Sequence, residues 1–168
     1  MWIAPSGKVH DDLKGLILNL SRRYGTVDFE PHVTLIGGLE GNEQELAAKS
    51  EELARTAPFR VRLLPNPEHS DEYFKCVFLR CEKTPELAEL NRMAVSLFGR
   101  ADGPEFAPHL SLVYGRLGPT AREEIVRELA PGFAVPVEFT VSGLHFMLTD
   151  RHPAAEIRAF NFNREHSR

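Results

Sequence analysis

The sequence predicts an α+β fold of two pseudo-symmetric lobes, each a small antiparallel-rich sheet backed by helices, with a cleft between them. Three observations lead there. Helical and strand-like segments alternate along 168 residues. Twelve Gly and twelve Pro residues interrupt them too often for a long parallel sheet. One ten-residue pattern occurs twice. The length suits a single bilobal domain over residues 1–168.

Taken in order, Trp2-Ile3-Ala4 reads as a short strand. Leu13, Leu16, Ile17, Leu20 and Tyr24 recur at helical spacing, and Gly25 ends them. Asp28 to Ile36 reads as a strand. Asn42 is positioned to cap a helix carrying Leu46, Ala47, Ser50, Leu53, Ala54 and Ala57 on one face. Phe59 to Leu63 alternates as a strand does, and beyond a loop of Leu64-Pro65-Asn66-Pro67, Ser70 and Asp71, Tyr73 to Leu79 also reads as a strand. Thr84-Pro85 supplies a cap and a first-turn proline for a helix with Leu87, Leu90, Ala94, Leu97 and Phe98. His109 to Tyr114 reads as a strand. Thr120 with Glu123 makes a capping-box pattern before Ile125 and Leu129. Val135–Val141, Leu144–Leu148 and Ile157–Phe162 read as closing strands.

Composition narrows the function classes. With 42% hydrophobic and 26% charged residues the chain is an ordinary globular one. No run of about 18 apolar residues is present to span a membrane. The opening residues lack a basic segment followed by an apolar one, so a cytoplasmic protein is expected. The net charge of −4 does not draw in a long polyanion, while a small anion can still be held by local donors. Cys76 and Cys81, five steps apart along or beside one strand, would be roughly 16 Å apart. That is too far for a disulfide, which agrees with a reducing compartment. No Cys-x-x-Cys or His-x-x-x-His spacing suggests a metal site.

The repeated pattern stands well above this background. Phe29-Glu30-Pro31-His32-Val33-Thr34-Leu35-Ile36-Gly37-Gly38 resembles Phe106-Ala107-Pro108-His109-Leu110-Ser111-Leu112-Val113-Tyr114-Gly115. Both read Phe-x-Pro-His-aliphatic-hydroxyl-Leu-aliphatic-x-Gly. On a strand, residues two apart share a face, so His32 projects beside Thr34 and His109 beside Ser111. Val33, Leu35, Leu110 and Leu112 face the other way and anchor the strands in the core. The residue before a proline is held extended, which favours strand entry at both places. If the halves pack about a pseudo-twofold axis, two imidazoles for proton transfer and two hydroxyls for anionic oxygens converge on one cleft. Duplication of a folding unit would also explain the repeat, but aliphatic side chains would fill these positions at lower desolvation cost. His10, His69, His145, His152 and His166 lack a hydroxyl two residues on and read as surface or structural.

At these residues the chain resembles the two-histidine (2H) phosphoesterases, whose defining feature is a pair of His-x-Thr/Ser motifs in a bilobal fold. Within them it is most similar to the small cyclic phosphodiesterases of plants and yeast. Trp2-Ile3-Ala4-Pro5 resembles that group's opening Trp-Ala-Leu-Pro. Tyr73-Phe74-Lys75-Cys76-Val77-Phe78-Leu79, with Lys83-Thr84-Pro85-Glu86, resembles the segment before its second-lobe helix. The resemblance implies hydrolysis of ADP-ribose 1″,2″-cyclic phosphate and nucleoside 2′,3′-cyclic phosphates, with no metal and no cofactor. It makes His32 and His109 the catalytic pair and Thr34 and Ser111 the phosphate-binding hydroxyls. Tyr114 would line the substrate site. Trp2 would do so too, or serve as an apolar plug. The first copy has no aromatic matching Tyr114, so the two halves of the cleft are expected to be inequivalent.

Such a cyclic phosphate opens by in-line attack of water, and the expected direction is His109 as base and His32 as acid. A small cyclic-phosphate substrate, no long nucleic acid, no membrane and a monomeric state complete the expectation. Two rival readings stand beside it. One is a 2′,5′-phosphodiesterase or RNA-end-processing enzyme of the same superfamily, for which Arg60 and Arg62 are the nearest approach to a basic stripe. The other is a non-catalytic nucleotide-binding module.

Overall fold

The alternation of apolar and polar residues sets the layers. A computed structural model of the chain describes residues 1–100, 105–149 and 155–161. Strand β1 (Trp2–Ile3) leads into helix α1 (Gly7–Tyr24), which buries Leu13, Ile17 and Leu20 along one stripe. The helix ends where Gly25 takes the left-handed conformation at φ 65° and its N–H bonds back to the Ser21 carbonyl. Strand β2 (Val33–Thr34) follows. Helix α2 (Glu43–Ser50) starts where the Asn42 side chain accepts hydrogen bonds from the Gln44 and Glu45 N–H groups. It stops earlier than its apolar spacing suggests. Ser50 turns its hydroxyl back to the Leu46 carbonyl, and a separate 3-10 turn, Leu53–Arg55, carries the chain on.

Strands β3 (Phe59–Leu63), β4 (Glu68–His69) and β5 (Val77–Arg80) lead to helix α3 (Pro85–Phe98). The Thr84 hydroxyl accepts from the Leu87 N–H, and Pro85 occupies the first turn, where a missing donor does no harm. Strand β6 (His109–Val113) and helix α4 (Pro119–Leu129) come next. Here the capping-box reading fails. Gly118 is the cap and Pro119 opens the helix, so Thr120 already lies inside it. Strands β7 (Val137–Val141), β8 (Gly143–Leu148) and β9 (Ala155–Asn161) close the described chain. Phe162, expected at the end of the last strand, lies outside the described residues.

The fold is α+β and its strand pairs are antiparallel. Seven strands form one sheet in the order β4-β5-β6-β2-β1-β8-β9, and β3 pairs with β7 in a second, two-stranded sheet. The halves of the chain are interleaved rather than kept in separate small sheets, because the two motif strands, β2 and β6, pair directly with each other. Their apolar backs, Val33 and Leu110, join one core with Ile3, Leu79, the α1 stripe and Leu87, Leu90 and Ala94 of α3. Ladder pairing in β2 covers only Val33–Thr34, far less than Asp28–Ile36. Pro31 has no N–H to offer a ladder. The expected strand from Tyr73 instead opens with a 3-10 turn, Tyr73–Lys75, fixed by the Ser70 hydroxyl donating to the Lys75 carbonyl. Cys76 and Cys81 are buried and unbridged.

Candidate active site

One register decides how the motifs meet. Val33 stands opposite Leu110, and both are fully buried. Directly opposed residues share a face and their sequence neighbours share the other. That register therefore sets His32 across from Ser111, and Thr34 across from His109, on the face away from the core. The histidines sit on the diagonal of this two-by-two patch, where alpha carbons are about 7–8 Å apart. Neighbouring strands extend the row. Trp2 opposes Thr34 on one side and His145 on the other, while Arg80 opposes His109.

Each histidine is set by the same local device. His32 Nδ1 lies 2.6 Å from the Glu30 carbonyl, and His109 Nδ1 lies 3.0 Å from the Ala107 carbonyl. In both motifs the acceptor is the residue before the proline. A carbonyl only accepts, so Nδ1 carries the proton in each ring and Nε2 is left for chemistry.

The environments then diverge. His32 is 5% exposed, with Trp2 stacked on its face at 3.5 Å between ring centroids. Burial pulls its pKa down to about 4, the Glu30 carbonyl opposes this, and the positive charge available to His109 adds to the fall. The neutral ring presents its Nε2 lone pair to the Tyr114 hydroxyl, which donates across 3.2 Å. Burial holds the Tyr114 hydroxyl protonated by raising its pKa. His109 is half-buried. Its pKa is lowered mainly by burial and further by Lys75, against the Ala107 carbonyl and Glu72.

A cavity of about 830 Å³ opens on the His32 side, a size that suits a nucleotide-like ligand. Trp2, His32, Thr34 and Tyr114 line it, together with Phe29, Phe74 and Phe146. His109 and Ser111 do not line this cavity, although they share its sheet face one strand over. Ser111 is 4% exposed, and its hydroxyl donates to the Phe74 carbonyl at 2.8 Å. A hydroxyl has one proton, so in this arrangement Ser111 holds the Tyr73–Lys75 turn and has no proton to offer an anion.

Tyr114 reaches the site despite its odd offset from His109, because β6 ends at Val113 and Tyr114 lies just past it, bridged to Val27. Phe29 and Phe74 are the side chains that sequence reading passed over. Phe29 stacks on Tyr114 at 3.7 Å, and Phe74 meets the edge of Tyr114 at 5.3 Å while remaining 68% exposed. The phenylalanine that opens each motif copy was the available signal for Phe29. Phe74 had none, since it read as one more strand residue. Of the other histidines, His10 pairs with Asp11 and Glu30, His145 pairs with Glu156, and His69 is exposed on β4. His152 and His166 lie outside the described residues. Among the described residues no group of three or more His, Cys, Asp or Glu side chains could hold a metal ion. No helix among them is long and apolar enough to cross a membrane.

Comparison with known proteins places this geometry. A 2′,3′-cyclic-nucleotide 3′-phosphodiesterase from Kluyveromyces lactis is 30% identical over 138 residues, covering 71% of this chain and 65% of the yeast protein. The chain thus spans a little under two thirds of that relative's length. A cyclic phosphodiesterase from Arabidopsis thaliana is 25% identical over 148 residues, covering 88% of this chain and 79% of the plant protein. The crystal structure of TT0787 from Thermus thermophilus superposes with a TM-score of 0.65 at 22% identity, covering 98% of this chain and 97% of that one, which shows a shared fold. The family profile of the 2′-5′ RNA ligase superfamily matches residues 10–153. With that much of the chain matched and the paired His-x-Thr/Ser motifs side by side on one sheet, the protein belongs to the 2′-5′ RNA ligase superfamily of two-histidine phosphoesterases.

Proposed function

We propose that the protein is a cyclic phosphodiesterase that opens small five-membered cyclic phosphates, nucleoside 2′,3′-cyclic phosphates and ADP-ribose 1″,2″-cyclic phosphate, to phosphomonoesters without a metal. The observation that carries this reading is the Val33–Leu110 register, which puts two imidazoles and Thr34 on one sheet face, His32 and Thr34 lining a ligand-sized cavity and His109 one strand over. The whole chain, residues 1–168, would act as one unit.

In the proposed reaction a water oxygen bonds to phosphorus while the bond from phosphorus to one ribose oxygen breaks. One imidazole takes the water's proton and the other gives a proton to the departing oxygen. Burial argues for reversing the direction expected from sequence. His32 has the lower pKa and an Nε2 lone pair already accepting a hydrogen bond, so it suits the base. His109, the more exposed ring, is the easier of the two to charge and suits the acid. The Tyr114 hydroxyl marks the place of the attacking water. Trp2 and Phe29 hold His32 and Tyr114 by stacking, and Thr34 donates to a non-bridging oxygen.

The test is incubation of the purified protein with a panel of cyclic phosphates in excess chelator, followed by phosphorus NMR. Ring opening to a phosphomonoester is expected. Binding without turnover would favour a nucleotide-binding module, and activity restored only by a divalent ion would sink the metal-free mechanism. The direction is tested with an aryl phosphodiester, whose leaving group needs no proton. His109→Ala should lose far less activity on it than His32→Ala, and equal losses would reject the assignment.

A further inference from the structure

We propose that Lys75 is a substrate-binding residue of this site, its ammonium holding the non-bridging oxygens of the phosphate beside His109. The inference rests on the phosphodiesterase reading above for the identity of the ligand. The placement is geometric. The Lys75 ammonium lies 4.8 Å from the centre of the Phe78 ring, and the same ring meets His109 edge to face at 5.5 Å. Phe78 opposes Ser111 in the β5–β6 register, so all four side chains sit over one patch of the sheet. The Tyr73–Lys75 turn is fixed there by Ser111, whose hydroxyl donates to Phe74, next to Lys75.

Two further facts turn proximity into a role. Ser111 spends its only proton on the turn, so the His109 half of the site lacks the hydroxyl donor that Thr34 provides on the His32 half. Lys75 is half-buried, and among the described residues its ammonium makes no hydrogen bond or ion pair with the protein. The other cation near this patch, Arg80, is held by Glu68 at 2.7 Å. An unneutralised ammonium is a strong phosphate ligand, while a turn anchored at its backbone leaves the lysine stem free to reach. The positive charge also acts on His109 itself, disfavouring its imidazolium.

The experiment compares wild type with Lys75→Met and Lys75→Arg in two arms. In the first, inorganic phosphate is titrated while the His109 ring protons are followed by NMR. Lys75→Met should bind phosphate about tenfold more weakly, as expected for losing one charge-assisted contact at a half-exposed site, and Lys75→Arg should stay near wild type. The His109 pKa should rise in Lys75→Met, because the cation that disfavours its imidazolium is gone. Glu72 just before the turn, Arg80 with its Glu68 partner on β5 and β4, and His32 just before β2 remain as the charges around it. In the second arm, KM for a 2′,3′-cyclic nucleotide should rise about tenfold in Lys75→Met. Unchanged phosphate affinity and an unmoved His109 pKa would overturn the proposal even if the wild type is fully active. No phosphate binding near His109 in the wild type would overturn it too. Weakened phosphate binding with no turnover in any variant would instead uphold Lys75 and remove the phosphodiesterase reading.

Discussion

His32 is held at a cost: an imidazole 5% exposed, under a tryptophan, with its pKa pulled down to about 4. A buried apolar side chain would avoid that cost. The linkage has a definite sign. The folded pKa is depressed below the ordinary 6.5, so above 6.5 the ring is neutral in both folded and unfolded chains and nothing is lost. As pH falls from 6.5 towards 4 the unfolded chain binds a proton that the folded one refuses, and stability drops. At about 1.36 kcal/mol per unit the drop approaches roughly 3 kcal/mol. Denaturant unfolding of wild type and His32→Gln between pH 7 and pH 4 checks it. The wild type should lose about 3 kcal/mol more than the variant across that window, and parallel curves would show that His32 titrates normally. The sequence announced this residue through the duplicated motif. It could not announce the burial, because Trp2 and Tyr114 arrive from 30 residues before and 82 after.

Between elements, the decisive contact is the pairing of β2 with β6, and its keystones are the apolar Val33 and Leu110 on the back of the sheet. Leu110→Ala opens a cavity directly behind the patch and should cost about 2–5 kcal/mol. Because it also loosens the register between the motifs, kcat on a cyclic nucleotide should fall at temperatures where the variant is still folded. Leu129→Ala, in the buried stripe of α4, is the control. It should lose a comparable amount of stability and keep its kcat. Equal kcat in both variants would mean that the strand pairing does not tune the site. Most elements were legible, but β4 (Glu68–His69) falls inside the segment read as a loop. The α1 stripe, the Asn42 and Thr84 caps and the β3 alternation all appear where spacing put them. What stayed hidden was non-local. Pro31 hints that the ladder starts late, but nothing between residues 28 and 36 says that it stops at Thr34, or that a partner is β6 and not only a strand of its own half. The capping box at Thr120 misled for a local reason: Gly118-Pro119 offers an earlier start, and proline prefers the first helical position.

For the molecule as a whole, the sheet brings one sequence motif into two unlike environments. Here one ring is sealed under Trp2 and the other is half open. Arg60 and Arg62, the nearest thing to a basic stripe, both pair with Glu138 across the two-stranded sheet. The expected kinetics follow. The pH profile of kcat/KM should be a bell, one imidazole neutral and the other charged, with both limbs on the acid side of pH 6.5 because both pKa values are lowered. Its limbs belong to the coupled pair rather than to single residues. His32→Ala and His109→Ala should each reduce kcat by about 10²–10⁴-fold with unchanged circular dichroism. The double variant should be scarcely worse than the weaker single one, since base and acid serve the same transition state and neither helps much alone. Multiplicative losses in the double variant would mean that the rings act in separate steps. A profile rising to an optimum above pH 8 would mean that neither ring is held neutral by burial.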